Sequence, residues 1–267
     1  MRSAVWLPLF DELADPAVVV RLAVTAEEHG WDGVFVWDHL RWRPPVEALA
    51  DPWTTLAAVA ARTSSVLLGP MVSALARRRP QVVARQSSTL DRLSGGRLVL
   101  GAGLGSDRFG EEFSRFGEEV DDRRRARLLD ESLEVLRAAW SGEPVSHHGD
   151  ACSLDDVTFL PRPVRGTVPI WTAGFPGKQP PLRRAARHDG FVPVNLEHPD
   201  QLAQAVAGIH ALRDDRRAPY DVAVPLPVTA DLAAFEAAGA TWWLADVDPH
   251  SITVDGLLGI VRDGPFR

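Results

Sequence analysis

Three short stretches hold residue types that can do chemistry. The first is Gly101-Ala102-Gly103-Leu104-Gly105-Ser106, where glycines let backbone N–H groups come close to a ligand. Its spacing is not G-x-G-x-x-G, because position 106 is serine, and no acidic ribose-binding residue is evident downstream. A dinucleotide fold is therefore disfavoured, and tight packing is the plain alternative for these glycines. The second stretch is Trp37-Asp38-His39. A histidine is the side chain whose pKa lies nearest neutrality, so His39 can act as general acid or base. Asp38 can orient it or bind a ligand hydroxyl. Equally, Asp38 can cap loop backbone while His39 fills space. The third is Thr172-Ala173-Gly174-Phe175-Pro176-Gly177-Lys178-Gln179-Pro180-Pro181, ahead of Arg183, Arg184 and Arg187. Small residues, a helix N-terminus and the chain's sole lysine, Lys178, suit a phosphate. The plain alternative is a turn with a solvated lysine. Arg108 and Glu112, just after the glycine loop, either turn toward the same region or face solvent.

Other chemistries lack their residues. No His-x-His marks the first strand, one cysteine does not make a zinc cluster, and His147-His148 are sequence neighbours with no helix to align them. No metal is expected. Neither a GxSxG elbow nor a GxxxxGK[ST] loop occurs.

The elements that must position these stretches alternate. Strand-like runs fall near Val5–Leu9, Gly33–Trp37, Val66–Val72, Leu98–Gly101, Pro169–Ala173, Phe191–Val194, Val222–Val224 and Thr241–Ala245. Helical segments separate them. Asp15-Pro16 and Asp51-Pro52 each offer an N-cap acceptor and then a proline at the first helical position. Pro80 opens a helix that stops at Gly95 or Gly96, and Arg123–Trp140 puts Leu128, Leu129, Leu133, Leu136 and Trp140 on one face. Later helices are expected near Pro181–His188, Pro199–Leu212, Thr229–Ala238 and Asp255–Arg262. Short apolar strands alternating with helices imply parallel βαβ units. Eight of them imply a closed barrel, one (β/α)8 TIM-barrel domain over residues 1–267, with its chemistry at the C-terminal ends of the strands. The longest interruption, Glu143–Val168, reads as an excursion with a small hairpin near Ala151–Phe159.

A net charge of −7 argues against a nucleic-acid partner. The single Cys152 fits a reducing cytoplasm, and no apolar run approaches membrane-spanning length, so no membrane association is expected. The partner is a small organic substrate.

Taken together, these stretches resemble the luciferase-like monooxygenase superfamily. The similarity covers most of the chain and is densest from Arg79-Pro80 through ARQSSTLDRLSGGRLVLGAGLG. Phe159-Leu160-Pro161-Arg162-Pro163 and PIWTAG followed by RRAARHDGF add to it. The resemblance implies a flavin- or deazaflavin-dependent oxidoreductase on a (β/α)8 barrel. His39, with Asp38, matches the family's active-site histidine after strand two. Met71, Val72 and Ser73 match the strand-three bulge that supports the isoalloxazine ring, sometimes through a non-prolyl cis peptide. Gly103, Gly105 and Ser106 match the loop lining the flavin. Ala173, Gly174, Phe175 and Lys178 match the phosphate-binding region, although position 175 is commonly glycine there. The first expectation is a monooxygenase using reduced FMN and oxygen, with a separate flavin reductase. The alternatives are a dehydrogenase or reductase using coenzyme F420, and a non-catalytic flavin-binding barrel. The family often forms homodimers. Its usual late-barrel insertion is shortened here, since strand seven reaches strand eight through Leu226–Ala240.

Overall fold

The computed structural model describes residues 1–265. Its main sheet is parallel and runs β3-β2-β1-β11-β10-β9-β8-β5-β4. The strands are β1 (Arg2–Leu7), β2 (Gly33–Val36), β3 (Leu67–Pro70), β4 (Ser73–Ala74), β5 (Leu100–Gly103), β8 (Ile170–Gly174), β9 (Gly190–Pro193), β10 (Asp221–Pro227) and β11 (Trp242–Asp246). The two ends of the sheet meet. Leu68 N–H donates to Arg97 O at 3.1 Å and Val99 N–H to Leu68 O at 2.9 Å. The α/β barrel expected from the alternation is thereby nearly closed.

One expected strand is interrupted. Of Val66–Val72 only Leu67–Pro70 forms β3; Met71 and Val72, joined by a cis peptide bond, separate it from β4, which begins at Ser73. Both pieces lie beside β5, and the approach there is close. A Cβ on Gly69 would sit 1.8 Å from Val99 O, and one on Gly101 would sit 2.6 Å from Pro70 O. Only glycine permits that contact.

The helices that cover the sheet are α1 (Pro16–Glu28), α2 (Pro52–Arg62), α3 (Pro80–Leu93), α4 (Asp122–Ser141), α5 (Gln179–Ala185), α6 (Pro199–Leu212), α7 (Leu232–Ala237) and α8 (Val254–Asp263). Their starts follow from the sequence. The Asp15 carboxylate accepts from Ala17 N–H and Asp51 from Thr54 N–H, each followed by proline. Asp121 caps α4, and Gly142 ends it in the left-handed conformation. The fifth helix starts at Gln179 rather than Pro181. The excursion holds an antiparallel hairpin, β6 (Val145–His148) with β7 (Ser153–Val157). Among the described residues no helix is long and apolar enough to cross a membrane.

Two apolar layers result from strand alternation. Trp243, Ala245 and Val247 pack outward with the helices. Ala4, Phe35, Met71, Val99, Trp171, Val192, Ala223, Trp242 and Leu244 fill the barrel. Phe35, Trp171 and Trp242 pack against one another in tilted and edge-on arrangements at 5.4 to 6.1 Å, and the Arg2 guanidinium lies 4.2 Å from the Trp242 ring. The interior is therefore plugged toward the strands' N-terminal ends. A ligand must enter at the other end, over the half-exposed Trp6, Val72 and Ala173.

Candidate active site

β2 delivers Trp37, Asp38 and His39 to the C-terminal mouth. Because Phe35 points into the barrel, Trp37 faces the mouth from the same side of the strand. Asp38 is only 2% exposed. Its Oδ2 accepts from Ser73 Oγ at 2.6 Å and Arg78 Nε at 2.9 Å. Its Oδ1 accepts from Arg78 Nη2 at 2.7 Å and Arg77 Nη2 at 3.1 Å. Burial alone would push this carboxyl up, but the charges and hydrogen bonds of Arg78, then Arg77 and Ser73, hold it below the usual carboxylate range. Asp38 is thus a charged anchor for the mouth loops. It neither orients His39 nor presents a free oxygen to a ligand, which corrects the expectation that it shares in the chemistry.

The partner of His39 is Glu112. Its Oε1 lies 2.5 Å from His39 Nδ1, and its Oε2 accepts from Leu40 N–H at 2.7 Å. Arg77 Nη1 stands 3.3 Å from the same Oε2. Glu112 and the Arg77 side chain are 1% and 2% exposed, so their ion pair is desolvated, while His39 is part-exposed toward the mouth. Arg77 therefore holds Asp38 and Glu112 at once. Its backbone follows β4, while Glu112 comes from the loop between β5 and α4.

That loop is itself fixed. The Asp107 carboxylate accepts from Phe113 N–H at 2.8 Å and Ser114 N–H at 3.2 Å. Phe113 is fully buried, with the Arg125 guanidinium 4.3 Å from its ring. Gly105 has φ +71°, and a Cβ there would lie 2.6 Å from Phe113 Cζ. Gly105 is glycine for both reasons.

Aromatic rings enclose His39. Trp42 lies 4.6 Å from it, Trp37 5.8 Å and Phe10 5.9 Å. Trp6 contacts Trp37 at 5.0 Å and donates its indole N–H to Met71 O at 2.7 Å. Phe109 stacks on the outer side of Trp42 at 5.1 Å.

The expected ring-binding residues divide. Met71 is fully buried in the barrel, and the Ser73 hydroxyl is spent on Asp38 with no exposure. Neither reaches the mouth surface, which corrects their placement there; Val72 does. Gly103 lies between it and the neighbouring strand: a Cβ would sit 3.0 Å from Val72 Cγ1 and 3.4 Å from Ala173 Cβ. The floor is flat because that Cβ is missing. Gly105 and Ser106 are exposed at its edge. Gly174 is backed by Pro181, whose Cβ would lie 2.3 Å from an added Cβ. Phe175 and Lys178 are exposed, and Lys178 makes no ion pair among the described residues.

Sequence reasoning placed Glu112 among residues that either reach the mouth or face solvent, and it missed Arg77. Two adjacent arginines, Arg77 and Arg78, lie in the turn just after β4, and that pair was the available signal.

The chain is 34% identical over 206 residues to an F420-dependent glucose-6-phosphate dehydrogenase from Nakamurella multipartita, covering 74% of this chain and 58% of that protein. It is 30% identical over 204 residues to a phthiodiolone/phenolphthiodiolone dimycocerosates ketoreductase from Mycobacterium tuberculosis, covering 74% and 50%. The matched region thus spans little more than half of these relatives' length. Among solved structures, an F420-dependent secondary alcohol dehydrogenase in complex with an F420-acetone adduct superimposes with TM-score 0.81 at 18% identity, over 98% of this chain and 97% of that one. A monooxygenase from Streptomyces bottropensis gives 0.80 at 21%, over 98% and 97%. Those two show a common fold. The family model described as luciferase-like monooxygenase matches residues 3–245, from the first strand of the barrel to the last, and the chain belongs to that family.

Proposed function

We propose that this protein is an oxidoreductase that interconverts an alcohol and a carbonyl compound with the deazaflavin coenzyme F420. The observation that carries the reading is the buried Glu112 bonded to His39 Nδ1 at the barrel mouth. With Nδ1 held by the carboxylate, the Nε2 atom is left for a substrate. It has no partner among the described residues.

The flat floor of Val72, Gly103 and Ala173 suits a planar ring system, and the loop from Gly174 to Lys178 suits a phosphate. These residues would hold the coenzyme. When bound, F420 accepts or returns a hydride, and that redox chemistry is the coenzyme's own. The protein handles the proton. His39 Nε2 takes the hydroxyl proton of the alcohol, or gives it back to the carbonyl oxygen in reverse. Glu112 fixes the ring and stabilises the charge that His39 then carries. Phe10, Trp37 and Trp42 keep water from the exchange.

F420 is preferred to reduced FMN because the relatives at 30% identity or more include enzymes named for F420. The neighbours named as monooxygenases are 21% and 20% identical, and their likeness speaks only to fold. The test is a binding titration with F420 and with FMN, followed by turnover with a panel of alcohols in the presence and absence of oxygen. F420 should bind the more tightly, and its reduction by alcohol should not require oxygen. Tight FMN binding with oxygen-dependent turnover and no response to F420 would overturn the reading.

A further inference from the structure

The acids Asp38 and Glu112 at the mouth are paired with arginine. A third acid is not. Asp246 is the last residue of β11, at the same end of the barrel as His39. Trp242 and Leu244 point into the barrel, so Asp246, two residues further on, faces its mouth. The registers Val5↔Ala245 and Pro227↔Asp246 place it between Trp6 on β1 and Pro227 on β10. Burial, and then the like charge of Asp248, push its carboxyl up; only the Val247 backbone N–H acts the other way. No cation offsets that burial, and no ion pair reaches Asp246 among the described residues.

Its position in the mouth is distinct. The flat floor lies on the side of β4, β5 and β8. Asp246 lies on the opposite side, with only β1 between its strand and the strand of His39. Two strand spacings separate those ends by roughly 10 Å. Trp6 and Trp37 line the ground between them. A molecule whose reacting hydroxyl meets His39 and whose body lies on these rings brings its far end to Asp246.

We propose that Asp246 is the residue that sets substrate class: its carboxylate accepts a hydrogen bond from a second hydroxyl of an uncharged polyhydroxylated substrate, and it repels a phosphate ester at that end. The proposal rests on the alcohol-oxidising reading above. An unpaired carboxylate opposite a phosphate is destabilising, and the guanidiniums of Arg77 and Arg78 are already committed to Asp38 and Glu112. The segment from β10 to β11 supplies no lysine or arginine to this side.

The test uses full-length protein loaded with F420, as wild type and as Asp246→Asn. The probes are glucose, cyclohexanol and glucose 6-phosphate. For wild type, glucose should exceed both others in kcat/KM by tenfold or more, the scale of a hydrogen bond to a charged group. In Asp246→Asn the loss for glucose should fall on KM, cyclohexanol should be unaffected, and glucose 6-phosphate should improve. Calorimetric titration with glucose, which needs no turnover, should show the same tenfold weakening. If the Asn variant folds poorly, Asp246→Ser serves instead. No turnover with any alcohol would defeat the alcohol-oxidising reading, while the calorimetry would still decide the role of Asp246. Turnover with equal glucose binding by wild type and variant, or a wild-type preference for glucose 6-phosphate, would overturn the proposal.

Discussion

In the proposed reaction His39 and Glu112 divide one task between them, and their variants should fail differently. His39→Ala removes the proton carrier. Turnover should fall by roughly 10²-fold or more, with coenzyme affinity and melting temperature close to wild type. A stable His39→Ala protein with native turnover would remove the residue from the mechanism. Glu112→Gln keeps the shape but loses the charge that steadies the protonated ring. It should lower kcat by about tenfold or more and leave KM nearly unchanged, as expected for an interaction made in the transition state. The position of His39 was readable from sequence, because it follows a buried strand at the end where barrels keep their chemistry. Its partner was not. Glu112 lies 73 positions away, in a loop with several other charges, and nothing local says which of them turns inward. Asp38, the sequence neighbour, looked like the natural orienter and proved to be committed to arginine.

Arg77 acts at the scale of elements. It joins the end of β2, the turn after β4 and the loop before α4 into one body. Arg77→Met would leave two buried carboxylates short of a cation. It should cost about 3 kcal/mol or more in urea unfolding. It should also lower kcat, because Glu112 loses one of its supports; Arg77→Lys should recover part of both losses. A Met variant with wild-type stability would mean that Arg78 and Leu40 N–H suffice. The contact of β3 with β5 is the second element-scale feature. Gly69→Ala would drive a methyl into Val99 O, so the barrel seam must open or shift, at about 1–3 kcal/mol or more. Sequence pattern found the barrel strands except the two-residue β4, and it ran β3 on through Met71 and Val72. The apolar run is continuous through Met71 and Val72, so hydrophobicity carries no mark of the break.

The stability of the whole molecule should fall on mild acidification. His188 is buried, and burial first, then the charges of Arg137, Arg187 and Arg184, bring its pKa down to about 3. In an unfolded chain a histidine titrates at about 6.5. Between those values the unfolded state binds a proton that the folded state refuses, so stability drops as pH falls through that window, by up to about 1.4 kcal/mol per pH unit. Glu27, held to about 2 by the backbone and hydroxyl groups of Ser64 and Ser65 despite some burial, contributes stability that is lost only below about pH 4.5. The two windows can therefore be separated. Between about pH 7 and pH 5, His188→Gln should lose less stability than wild type in urea midpoints. Equal losses would assign the acid sensitivity elsewhere. The eight-beat alternation made the architecture legible at this scale, since each beat repeats the same local rule. The unpaired Asp246 was passed over because a single acid ending an apolar strand looks like its boundary.

A chain with a single lysine has one further property. Lys178 is exposed, in the loop assigned to the coenzyme phosphate. Among the side chains of this sequence, amine-directed reagents therefore have one target. An activated ester carrying a mass tag or a fluorophore would report occupancy of that loop directly, with bound coenzyme shielding the amine and its departure restoring reactivity. The same handle would let the protein be tethered to a surface or a polymer in a single orientation, held at the mouth of the barrel.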